Sequence, residues 1–333
     1  MAHSRALALL LTGSLLAAPS APVLAGPAER SFHFTYTVEV QPPAGTGMMK
    51  LWIPYPVSDA SQVISNVQVK AAYPTEVRTE AGHGNSVLFL SAKQPQGPVK
   101  IEMTLLVKRL EYLHRPGTEP ASPVPEPADA LKRWLRPDRL VPLDKKVRKL
   151  AGQVTAGKKT DLEKARAIYD YTVSTMKYDK SGTGWGNGDI HWACDAKRGN
   201  CTDFHALFIG LCRASGIPAR FSIGFPIPAK RGEGEVGGYH CWAEFYLKGY
   251  GWVPVDASEA AKNPDKRDYY FGAHDENRVQ FSTGRDVKLT PPQSGAPLNY
   301  FIYPYVEVDG KELRDLQKSF SYQDVEPDIR AAF

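Results

Sequence analysis

The sequence predicts an α+β protein from three features: short alternating strands across residues 32–113, apolar residues at helical spacing between 128 and 215, and a strand pair across residues 239–256. At 333 residues, 42% hydrophobic and 23% charged, the chain is long enough for two cored domains and too apolar to be disordered.

Residues 1–25 read as a secretory leader: a basic start at His3 and Arg5, an apolar run over 6–18, and small residues around the cleavage position at Val23-Leu24-Ala25. No later stretch approaches the roughly 20 apolar residues that a membrane helix needs. The mature chain is therefore expected to be exported, periplasmic or secreted, with no membrane span after cleavage. Net charge is +5, one unit of it from Arg5. The lysines and arginines are scattered rather than interleaved with aromatics, which argues against nucleic acid as a partner. The four cysteines, Cys194, Cys201, Cys212 and Cys241, form no Cys-x-x-Cys pair, and zinc is disfavoured. With one thiol reserved for chemistry, the other three allow at most one internal disulfide.

Strand-like runs at 32–40, 49–53, 63–69, 87–90 and 99–106, punctuated by Pro and Gly, predict a β-sandwich over 26–115, read as a scaffold. Residues 116–127, rich in Pro, Glu, Ala and Ser, read as a linker. Helical signals follow at 128–135, 144–153 and 161–176, where Leu162, Ala165, Ile168, Tyr169 and Thr172 share one face. The run 182–189 has glycine at every second position and no Gly-x-Gly-x-x-Gly fingerprint. It reads either as a flexible surface loop or as a mobile cleft edge with Trp185 as a substrate platform.

Asn200 suits a helix N-cap, Asp203 complements the dipole in the first turn, and Phe204, Leu207, Phe208 and Leu211 form one apolar stripe ended by Gly216 and Pro218. Cys201 stands at the start of this helix, where the helix field lowers a thiol pKa. Over 239–247, alternation turns Cys241, Ala243, Phe245 and Leu247 to the core, and His240, Trp242, Glu244 and Tyr246 to the other face. Lys248-Gly249-Tyr250 is read as a three-residue turn, which sets Asp256 opposite Trp242 and diagonal to His240. Thiol, imidazole and carboxylate in this order suit nucleophilic catalysis. His205, four residues after Cys201, is a rival base.

The blocks Gly199-Asn200-Cys201-Thr202-Asp203, Gly216-Ile217-Pro218-Ala219-Arg220, His240-Cys241-Trp242-Ala243-Glu244 and Gly251-Trp252-Val253-Pro254-Val255-Asp256 resemble the transglutaminase-like superfamily, in its compact exported bacterial form, over about 161–259. The resemblance implies a papain-like core, with the cysteine helix packed on an antiparallel sheet, and catalytic roles for Cys201, His240 and Asp256. It implies no obligatory metal and no cofactor. The chain lacks the trailing β-barrels and acidic calcium loop of the larger animal enzymes.

The expected reaction is thiol-dependent acyl transfer on amide bonds of proteins or peptides, envelope components among them, through a Cys201 thioester resolved by an amine or by water. The alternatives are a cysteine peptidase or amidase of envelope peptides, and a catalytically silent binding module. The Cys201 N–H is the expected oxyanion donor. Trp185, Trp242, Tyr246 and Tyr178 are the candidates for substrate binding. The catalytic domain is expected over 128–290. Residues 291–333, with strand-like runs at 300–303 and 306–308, are expected to be a tail packed on the core.

Overall fold

The computed structural model describes residues 27–116 and 126–325. The expected leader, most of the expected linker and residues 326–333 lie outside the described residues. In chain order the first half gives strands β1 (Glu29–Val40), β2 (Met48–Tyr55), β3 (Gln62–Ala71), β4 (Thr75–Thr79), β5 (Ser86–Lys93), β6 (Val99–Leu110) and β7 (Tyr112–Leu113). Then come helices α1 (Ala128–Lys132), α2 (Lys145–Val154) and α3 (Asp161–Thr175), strand β8 (Lys177–Tyr178), helix α4 (Ile190–Ala196), strand β9 (Arg198–Gly199) and helix α5 (Cys201–Ala214). Strands β10 (Ala219–Pro226), β11 (Glu233–Glu235), β12 (His240–Leu247) and β13 (Gly251–Val255) precede helix α6 (Ala257–Lys262). Strands β14 (Ala273–His274), β15 (Arg278–Thr283), β16 (Tyr305–Val308), β17 (Lys311–Glu312) and β18 (Gln317–Asp324) close the chain.

Strict alternation in β1 buries Phe32, Phe34, Tyr36, Val38 and Val40 on one face, and β6 does the same with Val99 through Val107. These strands lie in a five-stranded sheet of order β11-β18-β1-β6-β3, and a second sheet has order β17-β16-β2-β5-β4. Each sheet therefore takes strands from the far end of the chain. The expected strand at 300–303 is not formed. There the backbone is fixed by side chains instead: the Tyr36 hydroxyl donates to the Ile302 carbonyl at 3.0 Å, and Ser282 Oγ to that of Phe301.

The second half holds a four-stranded sheet of order β13-β12-β10-β15, against which α5 lies with every residue from Cys201 to Arg213 buried. A two-strand link, β7 with β14, and an aromatic seam join the halves: the rings of Phe34 and Phe225 are 5.2 Å apart, and those of Phe225 and Phe320 4.3 Å. The fold is thus α+β, as the pattern of elements predicts, with a β-sheet domain preceding a core in which the cysteine-bearing helix α5 packs on an antiparallel sheet.

One buried ion pair ties the chain ends together. Arg30 Nε and NH2 hold Asp324 at 2.7 and 2.9 Å, while NH1 donates to the Pro228 carbonyl and Asn277 Oδ1, each at 2.7 Å. Its side chain is wholly buried, so losing the carboxylate strands a charge. Asp324→Ala is expected to lower the unfolding free energy by about 3 kcal/mol, read as a fall in denaturation midpoint at constant m-value.

Candidate active site

The helix start is built as the Asn200 pattern predicts. The Asn200 side chain accepts from Thr202 N at 2.9 Å, and Asp203 Oδ2 accepts from Asn200 N at 3.0 Å, completing a capping box. Asp203 also takes Gly186 N at 2.7 Å and Gly188 N at 3.0 Å, which fixes the glycine-rich loop beside the helix start. The loop is a surface one, exposed at residues 182–184 and 187, and its second half is tethered by these bonds. Gly199 has φ +149°, and a Cβ there would lie 2.2 Å from Asp203 Oδ2, so only glycine permits this approach.

The hairpin has the expected three-residue turn, with Leu247 opposite Gly251 and Ala243 opposite Val255. Asp256 follows directly and is the N-cap of α6, a helix the sequence reading missed. Its carboxylate is fully buried. Oδ2 accepts from His240 Nε2 at 2.7 Å and Arg278 NH1 at 3.0 Å, and Oδ1 from Ser258 Oγ at 3.1 Å and Glu259 N at 3.0 Å. Burial alone would raise its pKa. The neighbouring His240, Arg278 and His205 outweigh burial and hold it well below the usual carboxylate range.

Nε2 of His240 is taken up by Asp256, and the ring lies close enough to the Cys201 thiol for each to shift the other's pKa. Burial opposes charge on the ring, but the Asp256 carboxylate and the sulfur overcome it and lift the imidazole to about 10. Cys201 is 2% exposed. Burial would raise its pKa too. Hydrogen bonds from Cys241 and His240, with the charge of the imidazolium, bring it well below the usual thiol value. An imidazolium–thiolate pair is the state this environment favours.

His205 is also at the centre but differently used. Its Nε2 accepts the Ala257 N–H at 3.2 Å, so its basic nitrogen is occupied. Burial lowers its pKa to about 4, leaving a neutral ring 3.7 Å from Cys241 Sγ. Cys241 is packed in the core, as its strand face predicts, and touches Thr202 Oγ1 at 3.8 Å. All four cysteines are free thiols.

The four substrate candidates are dispersed. Tyr178 is brought near the thiol: β8 pairs it with Gly199, its ring is 6.1 Å from that of Phe204, and burial together with the Cys201 charge keeps its phenol protonated. Trp185 is half-buried within the glycine loop, where Nε1 donates to the Gly182 carbonyl at 3.1 Å. Trp242 and Tyr246 line a cavity of about 420 Å³ between the sandwich and the four-stranded sheet, which none of Cys201, His240 and Asp256 borders. His240 instead borders a groove of about 460 Å³, with Glu259, Lys266, Tyr270, Asn277 and Arg278.

Two functional neighbours escaped the sequence reading. Arg278 carried no signal beyond its place on a strand-like run. Tyr239, the residue before His240, shares a hydrogen bond with Thr202 Oγ1 at 2.9 Å and accepts from Asn200 Nδ2 at 3.0 Å. Its ring lies 5.4 Å from that of Tyr300. Among the described residues, no helix is long and apolar enough to cross a membrane.

Residues 148–257 match the family model described as the transglutaminase-like superfamily. An uncharacterized protein of Haemophilus influenzae is 30% identical, over 87% of this chain and 89% of its own length. The uncharacterized protein YebA of Bacillus subtilis is 26% identical over 37% of this chain, which is 18% of YebA. Among solved structures, a candidate cysteine protease from Cytophaga hutchinsonii superposes with a TM-score of 0.58 at 18% identity, covering 91% of this chain and 93% of the other.

The thiol environments predict an order of reactivity. Iodoacetamide at about pH 6 is expected to alkylate Cys201 first, because burial pushes the thiols of Cys194, Cys212 and Cys241 up. Peptide mapping by mass spectrometry reads the order, and His240→Ala should slow Cys201 to the rate of an ordinary thiol.

Proposed function

We propose that this chain, which belongs to the transglutaminase-like superfamily, is an exported thiol enzyme that transfers the acyl group of peptide amides through a Cys201 thioester. The observation that carries the reading is the fully buried Asp256 holding Nε2 of His240 at 2.7 Å, beside a Cys201 thiol whose pKa the same imidazole lowers.

In this reading the Cys201 thiolate attacks an amide carbonyl and the oxyanion forms against the Cys201 backbone N–H, which as a helix-start amide lacks an intrahelical partner. Tyr178, kept protonated beside the sulfur, is the second donor. His240 as imidazolium gives its proton to the departing amine, leaving a thioester and a neutral imidazole. His240 then takes a proton from the incoming water or amine, and the second tetrahedral intermediate collapses to release the acyl product and the thiolate. The groove beside His240 is lined mainly by polar groups and opens to solvent, which supports water as an acceptor.

The deciding experiment incubates the leaderless chain with envelope peptides and a fluorescent primary amine, followed by mass spectrometry. Amine incorporation reads transfer to amines; cleavage or deamidation without incorporation reads hydrolysis. Neither product from a chain whose Cys201 is fully reactive would sink the proposal. Cys201→Ala is expected to abolish turnover, and Asp256→Asn to lower kcat by about a hundredfold or more.

The pH profile follows from the same pair. Activity needs thiolate and imidazolium together. It is therefore lost at acid pH, where the depressed thiol protonates, and at alkaline pH as His240 loses its proton with an apparent pKa of about 10. In Asp256→Asn the alkaline limb of kcat/KM should move to lower pH, because the carboxylate that raises the imidazole is gone.

A further inference from the structure

The cavity between sandwich and sheet is lined by two buried polar side chains that each carry an unpartnered nitrogen. Arg109, on β6, is 1% exposed, and its Nε has no hydrogen-bond partner. NH1 reaches only Gln62 Oε1, at a long 3.4 Å, and that oxygen already accepts from Gln280 N at 2.9 Å. No carboxylate among the described residues lies within ion-pair distance of Arg109, and the acids around it are committed elsewhere. Asp59 caps Ser61 and Gln62, Glu244 pairs with Arg220 at 2.6 Å, and Asp275 pairs with Arg278 at 3.4 Å. A guanidinium sealed from water without an anion is an unstable arrangement for a protein to keep.

His274 faces the same cavity and is 1% exposed. Its Nε2 is unpartnered. Burial, reinforced by the charges of Arg278 and Arg109, keeps the ring neutral. A neutral imidazole nitrogen without a partner can accept an N–H. The cavity thus offers an N–H fork for an anion and, from the same lining, an acceptor for an N–H. Around them stand Trp242, Trp252, Tyr112 and Tyr246, and the volume of about 420 Å³ suits a small organic molecule.

We propose that this cavity is a binding site for the carboxyl end of a peptide or N-acylated amino acid with an apolar side chain: the carboxylate pairs with Arg109, the adjacent amide N–H donates to His274 Nε2, and the side chain lies among the aromatic rings. A carboxylate bonds a guanidinium through two parallel N–H···O contacts, which Arg109 has available and no residue here supplies. The site is separate from Cys201, His240 and Asp256. Its occupancy does not depend on their chemistry.

The probes are N-acetyl-L-phenylalanine, its primary amide, which lacks the carboxylate, and 3-phenylpropionate, which lacks the N–H. Calorimetric titration of the leaderless chain, native and as Cys201→Ser, is expected to show the first binding equally to both, with each analogue weaker by about tenfold or more. Arg109→Met, which keeps the stem and removes the unpaired charge, should lose the acid's binding by a similar factor. If that variant does not fold, the acid-against-amide comparison on the native chain decides by itself. Equal affinity for acid and amide, unchanged binding in Arg109→Met, or no binding at millimolar concentration would overturn the site.

Discussion

The carboxylate of Asp256 is the constraint on which the site depends. It is buried without solvent, so it is stable as an anion only with donors on all sides. Those donors come from three elements: His240 on β12, Arg278 on β15, and Ser258 and Glu259 on α6. The residue is at once the end of the hairpin and the cap of the following helix. Placing α6 and aiming the imidazole are therefore one folding event. Arg278 extends the arrangement outward, stacking its guanidinium over Trp242 at 5.0 Å while bonding Asp275. A sheet edge, a helix cap and a charged ring are held by a single group.

The surroundings of the sulfur follow from that anchor. A thiol buried without a cationic partner titrates upward, as Cys212 and Cys241 do. Cys201 is as buried as they are and moves the other way, because the imidazolium beside it is itself stabilised by the carboxylate. His205 has to stay neutral for this to hold, since a second imidazolium would compete for Asp256 and weaken the first. Burial keeps it neutral, and the Ala257 N–H occupies its lone pair. Two histidines lie within reach of one carboxylate, and the one it bonds at 2.7 Å rather than faces at 3.7 Å carries the proton.

Much of this was legible in the residue pattern. The strands with strict alternation, the N-cap at Asn200 and the register of the hairpin follow from local rules, because each is decided within about a dozen residues. What was missed depends on distant segments. β4 has mostly exposed side chains and no apolar face to announce it; α4 and α6 are too short for a periodic signal. The loop 182–189 looked free because its tether, Asp203, sits 15 to 17 residues on and reads from sequence as a helix-dipole residue. Arg278 and Tyr239 belong to the site only through the way β15 and the residue before β12 fold back, and no spacing encodes that. Trp242 and Tyr246 were placed on the right strand face, but that face carries both the imidazole and a separate cavity, and alternation cannot distinguish the two.

The β-sandwich contributes to the groove beside the thiol. The β10–β12 connection leaves the catalytic sheet after Pro226, lays β11 against β18 of the first sheet, and returns at His240. Its path is held by Arg30, which bonds the Pro228 carbonyl on one arm and Asn277 Oδ1 with the same nitrogen. Pro226, Ile227 and Asn277 are walls of the groove that His240 borders. The groove is therefore shaped by a sandwich residue, and β18, which supplies the carboxylate Asp324 that neutralises it, comes from the far end of the chain. A core that carried only α5 and the four-stranded sheet would keep the sulfur, the ring and the Ile227 N–H bond to the Asn277 carbonyl, but lose the Arg30 bonds that hold the connection at Pro228 and the Asn277 side chain. On this physical account the sandwich is part of the site's geometry, and the chain closes on itself to make it so.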